Sequence, residues 1–124
     1  MNKQLMISSA VVVGVVVAVF IYREASVSQS SIYDAVEKKV SSKMTDPSSA
    51  IFRDFESHSN ESNGKSKNVT VCGYVNSKNI YGGYAGSRMF ISTVAIDGYN
   101  IDVGSVIISN SAEQDKAILE MCKK

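Results

Sequence analysis

From Leu5 to Tyr22 the chain carries no charge, and Val11 to Val17 are all valine except Gly14. A helix of that length sits at the short end of what crosses a hydrocarbon core of about 30 Å. In lipid the backbone has only itself to bond to, so the β-branched run is expected to be helical despite its propensity. Tyr22 closes the segment as an interfacial aromatic, with Arg23 and Glu24 behind it. A cleaved signal peptide shares the short basic start, but a cut after Ala18 leaves Val19, Phe20 and Ile21 where polar residues belong. A cut after Ala25 has Arg23 two residues before it. No Cys follows the run to carry a lipid. The expected organisation is a cytoplasmic start at 1–4, a transmembrane helix at 5–22, a polar linker at 23–30 and one domain at 31–124.

Beyond the linker, Ile32, Val36, Val40 and Met44 recur every four residues with Tyr33 beside them, which predicts a helix opened by Ser31 and Asp34. Glu37, Lys38, Lys39 and Lys43 fall on its outer face. Asp46 and Pro47 stop it and start a new turn through Ala50, Asp as cap and Pro in the first position. Ile51, Phe52 and Phe55 are expected to begin a sheet, with Arg53 and Asp54 exposed. Glu56 to Lys67 has no large apolar residue and contains Asn63-Gly64, so it reads as a loop or hairpin tip.

Val69, Val71, Gly73 and Val75 alternate with Thr70, Cys72 and Tyr74, the pattern of a strand. Ser87 to Ala95 repeats it, with Met89 and Ile91 on one face and Phe90 and Val94 on the other. Asp97-Gly98 predicts a hairpin into Tyr99 to Val103, and Val106 to Ile108 a further short strand. Ser111 and Gln114 open a last helix to about Cys122, its stripe formed by Ala117, Ile118, Met121 and Cys122. The expected fold class is α+β: a small antiparallel sheet, covered on one face, with a preceding and a C-terminal helix packed on it.

The anchor inflates the 44% hydrophobic content of the 124 residues. Only one of the 13 Lys and Arg, Lys3, precedes Arg23, and none of the 12 Asp and Glu does, so residues 23–124 are neutral. Without a basic run there is little to exchange for counterions on a phosphate backbone, and nucleic-acid binding is not expected. Lys3 and the terminal amine favour a cytoplasmic N-terminus over Arg23 by a slight margin. Cys72 and Cys122 point the same way, an even pair whose simplest state beside a targeting segment is a disulfide on the oxidising side of the membrane. Two buried free thiols are the alternative. Closing a loop of about fifty residues contributes about 4 kcal/mol by chain entropy.

Asn76 to Gly86 (NSKNIYGGYAG) stands between the two best strands with three Gly and two Tyr. As a binding loop it offers close backbone approach at glycine, large rigid contacts at Tyr81 and Tyr84, and hydrogen bonds from Lys78 and Asn79. As a plain connection its glycines serve positive φ angles and its tyrosines pack on the sheet edge. It lacks the Gly-Lys-Ser/Thr ending of a phosphate-binding loop, so no nucleotide cofactor or small-molecule substrate is expected. His58 is the lone imidazole, in a polar stretch, and two distant Cys with one His do not make a structural zinc site. Asp54, Asp97 and Asp102 lie beside turns and read as turn-formers. No catalytic residue, metal ligand or cofactor is assigned; an enzyme would need an acid pair or a reactive Cys72.

Asp46 to Ala50 (DPSSA) with Phe52, then Cys72 to Asn76 (CGYVN), then Lys78 to Gly86 (KNIYGGYAG) with Phe90 resemble a family of small bacterial and prophage-encoded proteins that join a membrane segment to this pattern. The resemblance covers roughly Val36 to Ile91. The single-pass form is similar to superinfection-exclusion proteins of lambdoid phages, which sit in the host inner membrane and stop an incoming phage genome from crossing. It implies an inner-membrane protein with a periplasmic domain, partnered by a phage injection component or a host membrane factor that the genome uses to cross. An envelope or assembly module without that role is the other expectation.

Overall fold

The computed structural model describes residues 27–60 and 66–124; the expected transmembrane helix at 5–22 and the Asn63-Gly64 turn lie outside them. Among the described residues no helix is long and apolar enough to cross a membrane. The fold is α+β. Helix α1 (Gln29–Ser41) and a 3-10 turn (Pro47–Ser49) precede four strands: β1 (Ile51–Asn60), β2 (Ser66–Asn76), β3 (Arg88–Asp97) and β4 (Asn100–Ile108). Helix α2 (Ala112–Cys122) ends the chain's regular structure. The strands pair antiparallel in chain order, β1-β2-β3-β4.

Helix α1 starts two residues before the expected Ser31, because Ser28 is the cap: its hydroxyl accepts from the Ser31 N–H at 3.2 Å. The four-residue stripe is the core face as expected, but the helix ends at Ser41, before Asp46 and Pro47 are reached, and Met44 joins the core from the turn that follows. Ile32, Val36, Val40 and Met44 are buried against Val69, Val71, Val75, Phe90, Val94 and Ile96. Asp46 and Pro47 open the 3-10 turn, with Pro in its first helical position.

Strand β1 is longer than expected, because Glu56 to Asn60 continue it in register with Cys72 to Asn68, polar side chains and all. The register shifts between Arg53 and Glu56, where Asp54 takes φ +55°. This bulge sets two residues against Gly73 and turns Phe52 and Phe55, three positions apart, onto the same face. There the Phe55 ring stacks on Tyr33 at 4.6 Å and meets Phe90 edge-on at 5.7 Å.

The sheet is covered on both faces, not one. Alternation along β2 sends Val71 and Val75 toward α1 and Cys72 the other way, where it packs with Met89, Ile118 and Cys122 under α2. Ser111 caps α2 as expected, accepting from the Gln114 N–H. Only Ile118 and Cys122 of the expected α2 stripe are buried; Ala117 and Met121 are exposed. Val106 to Ile108 is no separate strand, since β4 runs through a register shift opposite Ser92 and Val94. Gly98, φ +59°, takes the first of two turn positions between Asp97 and Asn100.

Candidate interaction site

After Asn76 the chain leaves the sheet as a finger. Lys78 and Tyr84 face each other as an antiparallel bridge, and the Asn79 N–H donates to the Gly83 carbonyl at 2.8 Å. The Gly82 N–H donates back to the Asn79 carbonyl at 3.0 Å, so Ile80 and Tyr81 are the central residues of a tight turn. Gly82 follows at φ +82°, the left-handed position that three-residue hairpin loops need.

Side chains lock this geometry. Asn79 Oδ1 accepts from the Tyr81 N–H at 2.9 Å and the Gly83 N–H at 3.2 Å. At the base, Asn76 Oδ1 accepts from the Gly86 N–H, the Ala85 N–H donates to the Ser77 carbonyl, and the Lys78 N–H donates to Ser49 Oγ at 2.8 Å. The last bond ties the finger to the 3-10 turn, whose Asp46 in turn binds Ser48. The Ser48 hydroxyl, donating at 2.7 Å, leads the groups that hold the Asp46 carboxyl below its ordinary range; its own N–H and Ser49 add to it.

The tip is apolar and open, with Ile80 78% and Tyr81 89% exposed. Tyr84 is half exposed under the Lys78 ammonium, 5.8 Å from its ring centre. The structure thus brings Lys78, Tyr81 and Tyr84 into one projection, and the plain-connection expectation of tyrosines packed on the sheet edge does not describe Tyr81. Asn79 has a different part from the one expected: its carbonyl oxygen serves the turn. Ile80 is not among the contact residues that the sequence suggests; its one signal there is that of a lone large aliphatic in a polar, glycine-rich segment.

Cys72 and Cys122 stand at disulfide bonding distance, Cα atoms 6.3 Å apart, and join β2 to α2. His58 lies on β1 opposite Thr70, half-buried, with Glu56 Oε2 3.9 Å from its Nε2. Asp54 sits in the β1 bulge, while Asp97 and Asp102 belong to the β3–β4 hairpin on the far side of the sheet. Among the described residues no group of three His, Cys, Asp or Glu is placed to hold a metal ion. No family model, no curated protein and no solved structure matches the chain.

Proposed function

We propose that the chain is an inner-membrane-anchored module of the periplasmic side that acts by protein contact through the Lys78 to Tyr84 finger, without catalysis. The finger carries this reading. Large apolar side chains held open on a pre-ordered turn lose little freedom when a partner closes over them, which is what a contact residue needs. Tyr81 combines such area with a polar tip, the type enriched at interfaces.

The direction of the finger supports it. The chain comes into the described fold at Val27, beside Ser57 and Val69, and the finger leaves β2 after Asn76. From Val69 to Asn76 the strand runs about 23 Å. The described fold therefore begins near one end of β2, and the finger projects from the other. Tethering adds effective concentration against anything that crosses the bilayer nearby, so modest affinity suffices. The Cys72–Cys122 pair suits that oxidising compartment.

The resemblance supplies the role: superinfection exclusion, with a phage injection component or a host membrane factor as partner. Cells expressing the full chain are challenged with a panel of temperate phages, and adsorption, genome injection and plaque formation are scored separately. Normal adsorption with blocked injection, lost in Tyr81→Ser, is the expected result. Full sensitivity across the panel would discard exclusion in favour of an envelope partner, and exclusion unchanged in Ile80→Ser and Tyr81→Ser would discard the finger.

A further inference from the structure

The two edges of the sheet differ. β1 is bulged at Asp54 and exposes Arg53, Asp54 and Glu56, devices that keep an edge from taking another strand. β4 also carries a register shift, Gly104 and Ser105 standing against Thr93, but it runs nine residues with Asp102 as its only charge and neither Pro nor Lys, so the two edges differ in charge. Among the described residues its backbone pairs on one side, with β3. Beside this edge α1 and β4 bound a groove of about 400 Å³. Ala35, Lys38, Lys39 and Ser42, a stripe at helical spacing next to the buried one, form its wall. Ile101 and Val103, both half-buried, form its floor. Neither Lys38 nor Lys39 has a carboxylate at ion-pair distance among the described residues.

We infer that the β4 edge and this groove accept an extended segment of a partner protein, added as a fifth strand, with apolar residues at alternate positions and an acidic residue within reach of Lys38 or Lys39. An edge strand offers outward N–H and C=O groups at every second residue, which an extended chain satisfies and a helix does not. Side chains of one face of the added strand then fall against Ala35, Ile101 and Val103. Asp102 also lines the groove, but alternation along the strand turns its side chain from those of Ile101 and Val103, and neither lysine is ion-paired with it. The site shares no residue with the finger and stands or falls apart from it.

The probe is a random decapeptide library, selected against the full chain in lipid nanodiscs, with empty nanodiscs as control. The expected selection alternates apolar residues and carries Asp or Glu. Binding of selected peptides is expected to weaken about ten-fold or more in Ala35→Gln, which fills the groove, and in Lys38→Gln/Lys39→Gln, and to persist in Tyr81→Ser. All substituted positions lie outside the buried stripe, and thermal melts check folding. Methylation of alternate peptide amides is expected to abolish binding. No enrichment over empty nanodiscs, selected peptides without alternation, equal binding to all variants, or an edge occupied by a second copy, seen as cross-linking of Ile107→Cys chains, would each overturn the proposal.

Discussion

Gly73 on β2 lies opposite Phe90 on β3, and a Cβ on Gly73 would stand 3.0 Å from the Phe90 ring and 3.3 Å from the Arg53 carbonyl oxygen. The ring fills the space that a side chain would take, over the bulge that turns Phe52 and Phe55 inward. Gly73→Ala is therefore expected to destabilise the domain by about 1–3 kcal/mol, the range for overpacking. Phe90→Leu in the same chain should recover part of that loss, since the two changes act on one contact. Urea unfolding of the single and double variants measures the coupling, and strictly additive effects would mean that ring and glycine do not share the space.

Asp54 holds a left-handed conformation in the β1 bulge, one that a β-branched residue resists by about 1–2 kcal/mol. Asp54→Val is expected to lose stability on that scale, while Asp54→Gly is neutral or stabilising, because the carboxylate is exposed and its one polar partner among the described residues is Arg53 at 3.4 Å. Equal melting temperatures for the Val and Gly variants would remove the bulge as the device that pairs Phe52 with Phe55.

Elements governed by a strong local period were legible in the sequence. The Ile32 to Met44 stripe, the alternation of β2 and β3, the turn at Asp46-Pro47 and the cap at Ser111 all appear where the pattern put them. Decisions made by distant partners were not legible. Glu56 to Asn60 has no apolar alternation, and it is a strand because β2 offers it a ladder. The bulge at Asp54 breaks the period that would have divided Phe52 from Phe55. The second covered face follows from one residue, Cys72, whose neighbours Val71 and Gly73 point the other way. In the finger, glycines and tyrosines announced an unusual segment, but Asn79 as its lock and Ile80 as its tip depend on hydrogen bonds that composition does not reveal.

The Asp46 carboxyl is held below its ordinary range chiefly by the Ser48 hydroxyl. A group depressed in the folded state adds stability above its unfolded value and loses it as the pH falls through the folded one. The Asp46–Ser48 contact should thus weaken only on acidification below the ordinary aspartate range of about 3.9. Carbon-detected NMR titration is expected to give Asp46 a midpoint below the ordinary aspartate value, rising in Ser48→Ala. An Asp46 midpoint that does not move would remove Ser48 as the cause.

Helix α2 buries only Ile118 and Cys122, so its hold on the sheet leans on the covalent link to Cys72. Removing a link that closes a 50-residue separation is expected to cost about 4 kcal/mol by chain entropy. In Cys72→Ser/Cys122→Ser, amide exchange should accelerate first in Ala112–Cys122 while β2 and β3 stay protected, because the α1 core does not depend on α2. Protection of α2 equal to that of the parent would show that Ile118 and the Asp115 carboxylate, which accepts from the Ser109 hydroxyl and the Met89 N–H, dock it without the link.

The finger separates shape from contact, and two substitutions divide them. Asn79→Ala removes the acceptor for the Tyr81 and Gly83 N–H groups and leaves every exposed side chain of the tip in place. Tyr81→Ser removes the contact surface and leaves the turn. Both positions are exposed and lie outside the core, so both variants should unfold within about 0.5 kcal/mol of the parent. If the finger works as a pre-ordered contact, Tyr81→Ser should lose function outright. Asn79→Ala should weaken it by the cost of ordering a loop, about 0.5–1.5 kcal/mol per side chain newly immobilised. That loss would be recovered by raising expression, as a lost contact would not. Dose–response of exclusion, or of binding once a partner is in hand, against the amount of each variant in the membrane makes the distinction. A parallel shift for Asn79→Ala and a collapsed maximum for Tyr81→Ser is the expected pair, and identical curves would mean that the turn and its side chains do not act as the structure divides them.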